Sequence, residues 1–104
     1  MTSPTQRTLA QLRKDGYTAQ VVERWNPHAR IRQDLFGFVD VLAIRGGETL
    51  AVQATSGSNV ASRVKKIAEH EHIGAVREAG WRVVVWGWRK NAAGRWTLRE
   101  VDCS

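Results

Sequence analysis

The chain has 104 residues, enough for one hydrophobic core but too few for two, so we expect a single domain spanning residues 1–104. A formal net charge of +6 favours a polyanionic partner, although a basic surface can also serve solubility alone. The single cysteine excludes an internal disulfide, and the first residues lack the apolar core of a signal peptide, so we expect a cytoplasmic protein without a membrane attachment.

The hydrophobic pattern predicts seven elements in the order αβββαββ. A capped helix over 4–15 is followed by a strand over 18–25 that ends before Pro27. Two strands over 36–44 and 48–55 form a hairpin, and a long helix runs from residue 60 to about 79. A buried strand over 81–88 and an edge strand over 95–101 complete the chain. The predicted fold class is α/β, with a mixed central sheet flanked by helices.

One carboxylate interrupts the apolar run of the second predicted strand. Asp40 lies between Val39 and Val41, and burying a bare carboxylate is costly, so it must be hydrogen-bonded, bound to a metal or turned to solvent. Gln53 follows 13 positions later on the partner strand, and Thr55 shares its face by the two-residue period of a strand. The predicted hairpin can therefore bring Asp40 and Gln53 close together.

Helix, strand, the segment 37–44 (GFVDVLAI), a short turn, the segment 50–56 (LAVQATS) and a second helix follow one another in this chain. This order resembles the core of the PD-(D/E)XK nuclease superfamily, including its Holliday-junction-resolvase and VRR-NUC branches, over residues 5–88. The resemblance implies a restriction-endonuclease-like fold and a Mg²⁺- or Mn²⁺-dependent DNA endonuclease, with branched DNA among the substrates to be considered. In such enzymes strand-borne carboxylates hold the metal and a lysine positions or activates the attacking water.

Carried onto this chain, the family pattern matches at Asp40 and departs at the next strand. Gln53 stands where the pattern has an acidic residue, and Thr55 stands where it has lysine. A glutamine carbonyl can still bind a hard cation, but more weakly than a carboxylate, and threonine cannot replace an ammonium group. The missing charge could come from Arg63, Lys65 or Lys66 in the second helix, and we favour Lys66. The predicted catalytic residues are Asp40, Gln53 and Lys66.

A further carboxylate would complete a metal site with Asp40 and Gln53. Asp34, just ahead of the second predicted strand, is the favoured candidate, and Glu23 on the first strand is another. The alternative is that Asp34 caps a loop and Glu23 faces solvent.

Two basic segments could contact DNA. Arg63, Lys66 and His70 recur at i, i+3 and i+7, which places them along one side of a helix, and Arg30 and Arg32 lie in a loop with Trp25 and Pro27. A solvated helix face and an ordinary loop are the competing interpretations. The predicted DNA-binding residues are Arg30, Arg32, Arg63, Lys65, Lys66 and His70.

Three functions therefore remain open. The first is a small metal-dependent endonuclease, which a homodimer would help to grip duplex DNA. The second is a nuclease-fold module that binds DNA or a protein without cutting, as the Gln-x-Thr departure suggests. The third is a structural or interaction protein with a basic surface. Dinucleotide, phosphate-loop and serine-hydrolase motifs are absent from the sequence.

Overall fold

A computed structural model describes residues 2–104, which form a central five-stranded sheet, a separate two-stranded ribbon and three α-helices. In chain order the elements are α1 (Pro4–Lys14), β1 (Thr18–Val21), β2 (Arg24–Asn26), β3 (Ile31–Gln33), β4 (Val41–Arg45), β5 (Glu48–Ser56), α2 (Val60–Ala68), α3 (Ile73–Glu78), β6 (Arg82–Lys90) and β7 (Trp96–Asp102). Over residues 2–104, no helix combines the length and the apolar character that crossing a membrane requires.

The central sheet is mixed, as the sequence predicts. Its strand order is β1-β4-β5-β6-β7, in which β5 and β6 pair in parallel and all other neighbours pair antiparallel. The predicted hairpin is present as β4 and β5, and β7 is an edge strand. The remaining strands, β2 and β3, pair only with each other among the described residues, and we call them the ribbon.

Helices cover both faces of the central sheet because its inner strands are apolar on both sides. Leu12 of α1 packs with Val52 and Val84 on one face, whereas Ile67 of α2 packs with Val83 on the other. All five side chains are at most 1% exposed, and burying a side chain of this size stabilises the fold by about 1.5–3 kcal/mol. The sheet is thus the middle layer of three, and a site on it lies beneath either α1 or the α2–α3 pair.

The predicted long helix is wrong, because the chain breaks into α2 and α3 over residues 69–72. Continuing the spacing of Val60, Val64 and Ile67 would turn Glu71 toward the core. The break shifts the helical phase, so that Ile73 and Val76 of α3 are buried instead. At the break, the His70 side chain accepts a hydrogen bond from the backbone N–H of His72 at 3.2 Å.

Two strand predictions also need correction. The predicted strand over 18–25 divides into β1 and β2, since the chain leaves the central sheet after Val21. The predicted strand over 36–44 begins only at Val41, because residues 36–38 form a turn in which Gly37 adopts φ of +86°. The loop expected between these strands instead contains β3.

Candidate metal centre and its basic cleft

Asp40 immediately precedes β4 and is fixed by backbone bonds on both sides. Its N–H donates to the carbonyl of Val52 at 2.9 Å, and its carbonyl accepts from the N–H of Val22 at 2.8 Å. The β4–β5 register pairs Val41 with Val52, so Asp40 lies opposite Gln53 where the ladder continues. The backbone thus determines where the carboxylate points.

The side chain of Asp40 is 4% exposed and is held by β5. Its Oδ2 accepts hydrogen bonds from Gln53 Nε2 at 2.7 Å and from the backbone N–H of Ala54 at 2.8 Å. The structure therefore brings Asp40 and Gln53 together as the hairpin predicts. Thr55 is buried farther along β5, at the position where the family pattern has lysine.

Two irregular segments add carboxylates next to Asp40. Glu23 lies between β1 and β2, and Asp34 directly follows β3. Oxygen atoms of Glu23, Asp34 and Asp40 all lie within 4.8 Å of one another, and we call these three residues the acidic cluster. Both carboxylates that the sequence offered as alternatives are therefore in reach of one cation.

Close packing of the acidic cluster changes the acidity of Asp40. The pKa of Asp40 is raised to about 8, with burial as the largest cause and a hydrogen bond with Asp34 and the negative charges of Asp34 and Glu23 as the further causes. The N–H of Ala54 opposes this rise by stabilising the charged form. A cation bound between these oxygens would remove the repulsion that a proton otherwise relieves.

Gln53 contributes a buried oxygen beside the acidic cluster. Its amide nitrogen is occupied by Asp40, and its Oε1 has no hydrogen-bond partner among residues 2–104. A buried acceptor without a partner costs about 1–3 kcal/mol, which a ligand at this position would offset. Three carboxylates and one amide oxygen form the all-oxygen set that Mg²⁺ and Mn²⁺ prefer, so the residues present fit such a metal.

A cleft of about 640 Å³ opens beside the acidic cluster and shares Asp34 with it. Cationic side chains from three elements line it, namely Arg24 of β2, Arg32 of β3 and Lys66 of α2. The Arg32 guanidinium lies 3.3 Å from a carboxylate oxygen of Glu23, which links this wall to the acidic cluster. Carboxylates with adjacent cations can hold a metal and a phosphate together.

The other predicted DNA-binding residues do not line this cleft. Arg63 and Lys65 lie on α2 but do not line the cleft, and Arg30 lies in the turn between β2 and β3. His70 lies beyond the end of α2, so Arg63, Lys66 and His70 do not share one helix as expected. Its ring packs edge-on against Phe38 at 5.2 Å between centroids.

Arg24 is a cleft residue that sequence reasoning missed. The sequence predicts a continuous strand over 18–25, which gives Arg24 no special role. Its position follows from the ribbon, whose exposed residues carry no hydrophobic alternation that could reveal it. The basic residues at 24, 30 and 32 were the available signal.

Comparison of the chain with known proteins gives no match to a protein-family model and no significant match to a curated protein.

Proposed function

We propose that this protein is a divalent-metal-dependent DNA endonuclease related to the PD-(D/E)XK superfamily. The observation that carries the proposal is the convergence of Glu23, Asp34 and Asp40 within 4.8 Å beside a cleft with cationic walls. A structural ion pair rarely requires three mutually repelling carboxylates, one of them buried. A metal site for phosphodiester hydrolysis requires such a cluster, because the carboxylates hold the metal.

The acidic cluster would hold the metal, and Gln53 would add its amide oxygen. When bound, Mg²⁺ or Mn²⁺ supplies Lewis-acid chemistry that polarises the phosphate and lowers the pKa of a coordinated water. Asp40 is the central ligand in this proposal because the backbone bonds to Val22 and Val52 fix it. Gln53 also orients Asp40 through the 2.7 Å hydrogen bond.

The cations of the cleft would bind and orient the DNA backbone. Arg24, Arg32 and Lys66 line the space next to the acidic cluster, where a phosphate would lie beside the metal. Lys66 takes the place of the motif lysine in this proposal, since Thr55 cannot supply a positive charge. Its position on α2 leaves it free to move toward the phosphate on binding, because it is exposed.

A nuclease-fold module that binds DNA without cutting is the second candidate. The Gln-Ala-Thr sequence at 53–55 favours it, because a neutral ligand weakens metal binding and the lysine is absent. This candidate shares the basic cleft but requires no catalytic metal. Cleavage therefore separates the two candidates, and DNA binding does not.

Two further parts of the proposal concern assembly and location. A nuclease of this size would cut both strands most readily as a homodimer with two clefts. The absence of disulfide-forming cysteine pairs from the sequence suits a reducing cytoplasm.

Mg²⁺ and Mn²⁺ binding should be measured by calorimetry on the wild type and Asp40→Ala, together with cleavage of supercoiled, linear and branched DNA. We expect Asp40→Ala to lower metal affinity by at least about 100-fold and to abolish cleavage, because it removes the best-fixed ligand. DNA affinity without metal should be nearly unchanged.

Asp15→Ala is the matched control, since Asp15 is an exposed aspartate at the end of α1, away from the acidic cluster. It should leave both metal binding and cleavage at the wild-type level. Cleavage that persists in Asp40→Ala would refute the metal site, and DNA binding without metal-dependent cleavage would favour the non-cutting module.

A further inference from the structure

The ribbon exposes a tryptophan next to the candidate metal centre. Trp25 of β2 is 58% exposed and Ile31 of β3 is 50% exposed, and the register places these two side chains on opposite faces of the ribbon. A single exposed apolar side chain is common on a protein surface, whereas a tryptophan flanked by cationic side chains is typical of a surface that binds nucleic acid. Among residues 2–104 the ribbon pairs with no strand of the central sheet, so the sheet does not require an exposed tryptophan here.

The register of the ribbon directs Trp25 toward the same side as a cleft residue. Trp25 lies directly opposite Arg32, and opposed residues of an antiparallel pair share one face. Arg32 in turn contacts Glu23 of the acidic cluster at 3.3 Å. A ligand on the Trp25 face therefore lies next to Arg32, which itself contacts the acidic cluster.

The tip of the ribbon is fixed before any ligand binds. The side-chain oxygen of Asn26 accepts from the backbone N–H groups of His28 and Ala29 at 3.0 and 3.2 Å. Pro27 restricts the backbone within this turn, and Arg30 closes it with φ of +53°. A preformed turn lowers the entropy that is lost on binding.

The charge of the ribbon identifies the kind of ligand. Residues 24–33 include Arg24, Arg30 and Arg32 and no acidic residue. Arg32 lies opposite Trp25, Arg24 precedes it in the chain and Arg30 lies in the adjoining turn, so the ribbon offers cations for a phosphate backbone and one exposed indole for a base. Bases in an intact duplex are stacked inside the helix, so only an unpaired base can stack on Trp25.

We propose that Trp25 stacks on an unpaired base of DNA while the ribbon arginines hold the adjacent phosphates. If the protein has the proposed nuclease function, its substrate class is then single-stranded or branched DNA. Such a substrate would bind with its unpaired nucleotides next to the acidic cluster. The stacking interaction itself requires no metal and no cleavage.

The test measures affinity in the presence of a chelator, for a short single-stranded oligonucleotide and for its duplex, by fluorescence anisotropy. The proteins are the wild type, Trp25→Ala, Trp25→Phe and Trp96→Ala. Trp96 is the matched control because it is 41% exposed but lies on β7, at the edge of the central sheet opposite β1.

We expect Trp25→Ala to weaken single-strand binding about tenfold and duplex binding much less, because it removes one stacking interaction. Trp25→Phe should retain most of the affinity, and Trp96→Ala should match the wild type. An equal loss for single strand and duplex would overturn the proposal. Unchanged affinity for both, as expected if the ribbon binds a protein instead, would also overturn it.

The failure of this inference and that of the nuclease function give different results. Metal-dependent cleavage that is lost in Asp40→Ala, with no effect of Trp25→Ala on single-strand binding, would refute only the stacking role. Trp25-dependent single-strand binding without any cleavage would refute only the nuclease function.

Discussion

Two buried polar pairs lie on opposite sides of the central sheet, and they differ in how completely they are satisfied. On the α1 side, the indole N–H of Trp88 donates to the hydroxyl of Thr8 at 2.9 Å. On the α2–α3 side, Gln53 donates to Asp40 at 2.7 Å, but its own oxygen has no partner among residues 2–104. Both pairs are at least 92% buried, so burial alone does not explain the difference.

The comparison separates a structural role from a functional one. The Thr8–Trp88 pair is neutral and links α1 to β6 across 80 positions of sequence, which stabilises the fold. Asp40 and Gln53 cost stability, because a carboxylate is buried next to Asp34 and an amide oxygen is left without a partner. A chain retains such a cost where a ligand offsets it, which is the reasoning behind the metal site.

The largest expected effect is on the pH dependence of stability. The folded pKa of Asp40, about 8, lies above its usual 3.8, so between these values the folded protein binds more protons than the unfolded chain. The stability that this proton contributes is fully present below pH 3.8 and is lost as pH rises through 8. Asp40→Asn removes this titration, so its stability relative to the wild type should increase steadily as the pH rises across that interval, by roughly 1.4 kcal/mol or less for each pH unit.

Urea denaturation of metal-free wild type and Asp40→Asn at a series of pH values measures this difference. Asp15→Asn, at an exposed aspartate, provides the control and should follow the wild-type curve. If the free energies of unfolding of the wild type and Asp40→Asn, plotted against pH, run parallel from pH 4 to 8, they would contradict the buried, proton-sharing arrangement of Asp40.

Breaking the Thr8–Trp88 pair should lower the stability of the fold by an amount that does not depend on pH. Thr8→Val preserves the size of the side chain but leaves the buried indole N–H of Trp88 without an acceptor, which should cost about 1–3 kcal/mol at every pH. Metal affinity should stay at the wild-type level. Thr18→Val, at an exposed threonine of β1, is the control in the same denaturation experiment and should have little effect.

A third change tests whether Gln53 belongs with the metal ligands. Gln53→Glu removes the donor to Asp40 and adds a fourth carboxylate, so we expect lower stability without metal and about tenfold tighter Mg²⁺ binding. Calorimetry and thermal unfolding measure the two effects, with Gln20→Glu on β1 as control. Weaker Mg²⁺ binding in Gln53→Glu would show that Gln53 only orients Asp40.

The pairing of Asp40 with Gln53 could be predicted from sequence because it depends on one short hairpin. Gly46 and Gly47 mark the turn, and counting outward from it places the two residues opposite each other. The mixed sheet follows from similarly regular patterns of apolar residues. Its restriction-endonuclease-like classification remains a prediction.

The rest of the candidate site depends on segments without a repeating pattern. Asp34 and Glu23 lie outside the strands, and only the folding of the ribbon places them near Asp40. The sequence therefore leaves two interpretations of these residues open. They either join Asp40 in a metal site, or Asp34 caps a loop and Glu23 faces solvent. The break between α2 and α3 has no proline to mark it in the sequence, and its result, the burial of Ile73 and Val76 in one cluster with Ile67, depends on tertiary packing.

The smallest expected effect compares two lysines that are adjacent in the sequence. Lys66 lines the cleft and Lys65 does not, although both are exposed on α2. If Lys66 contacts a phosphate there, Lys66→Ala should weaken DNA binding by about 0.5–1 kcal/mol. It should also reduce the slope of the logarithm of the binding constant against the logarithm of the salt concentration by about one. Lys65→Ala should change neither quantity. Titrations of wild type and both variants at several salt concentrations measure these slopes, and equal losses for the two lysines would mean that α2 attracts DNA only through its overall charge.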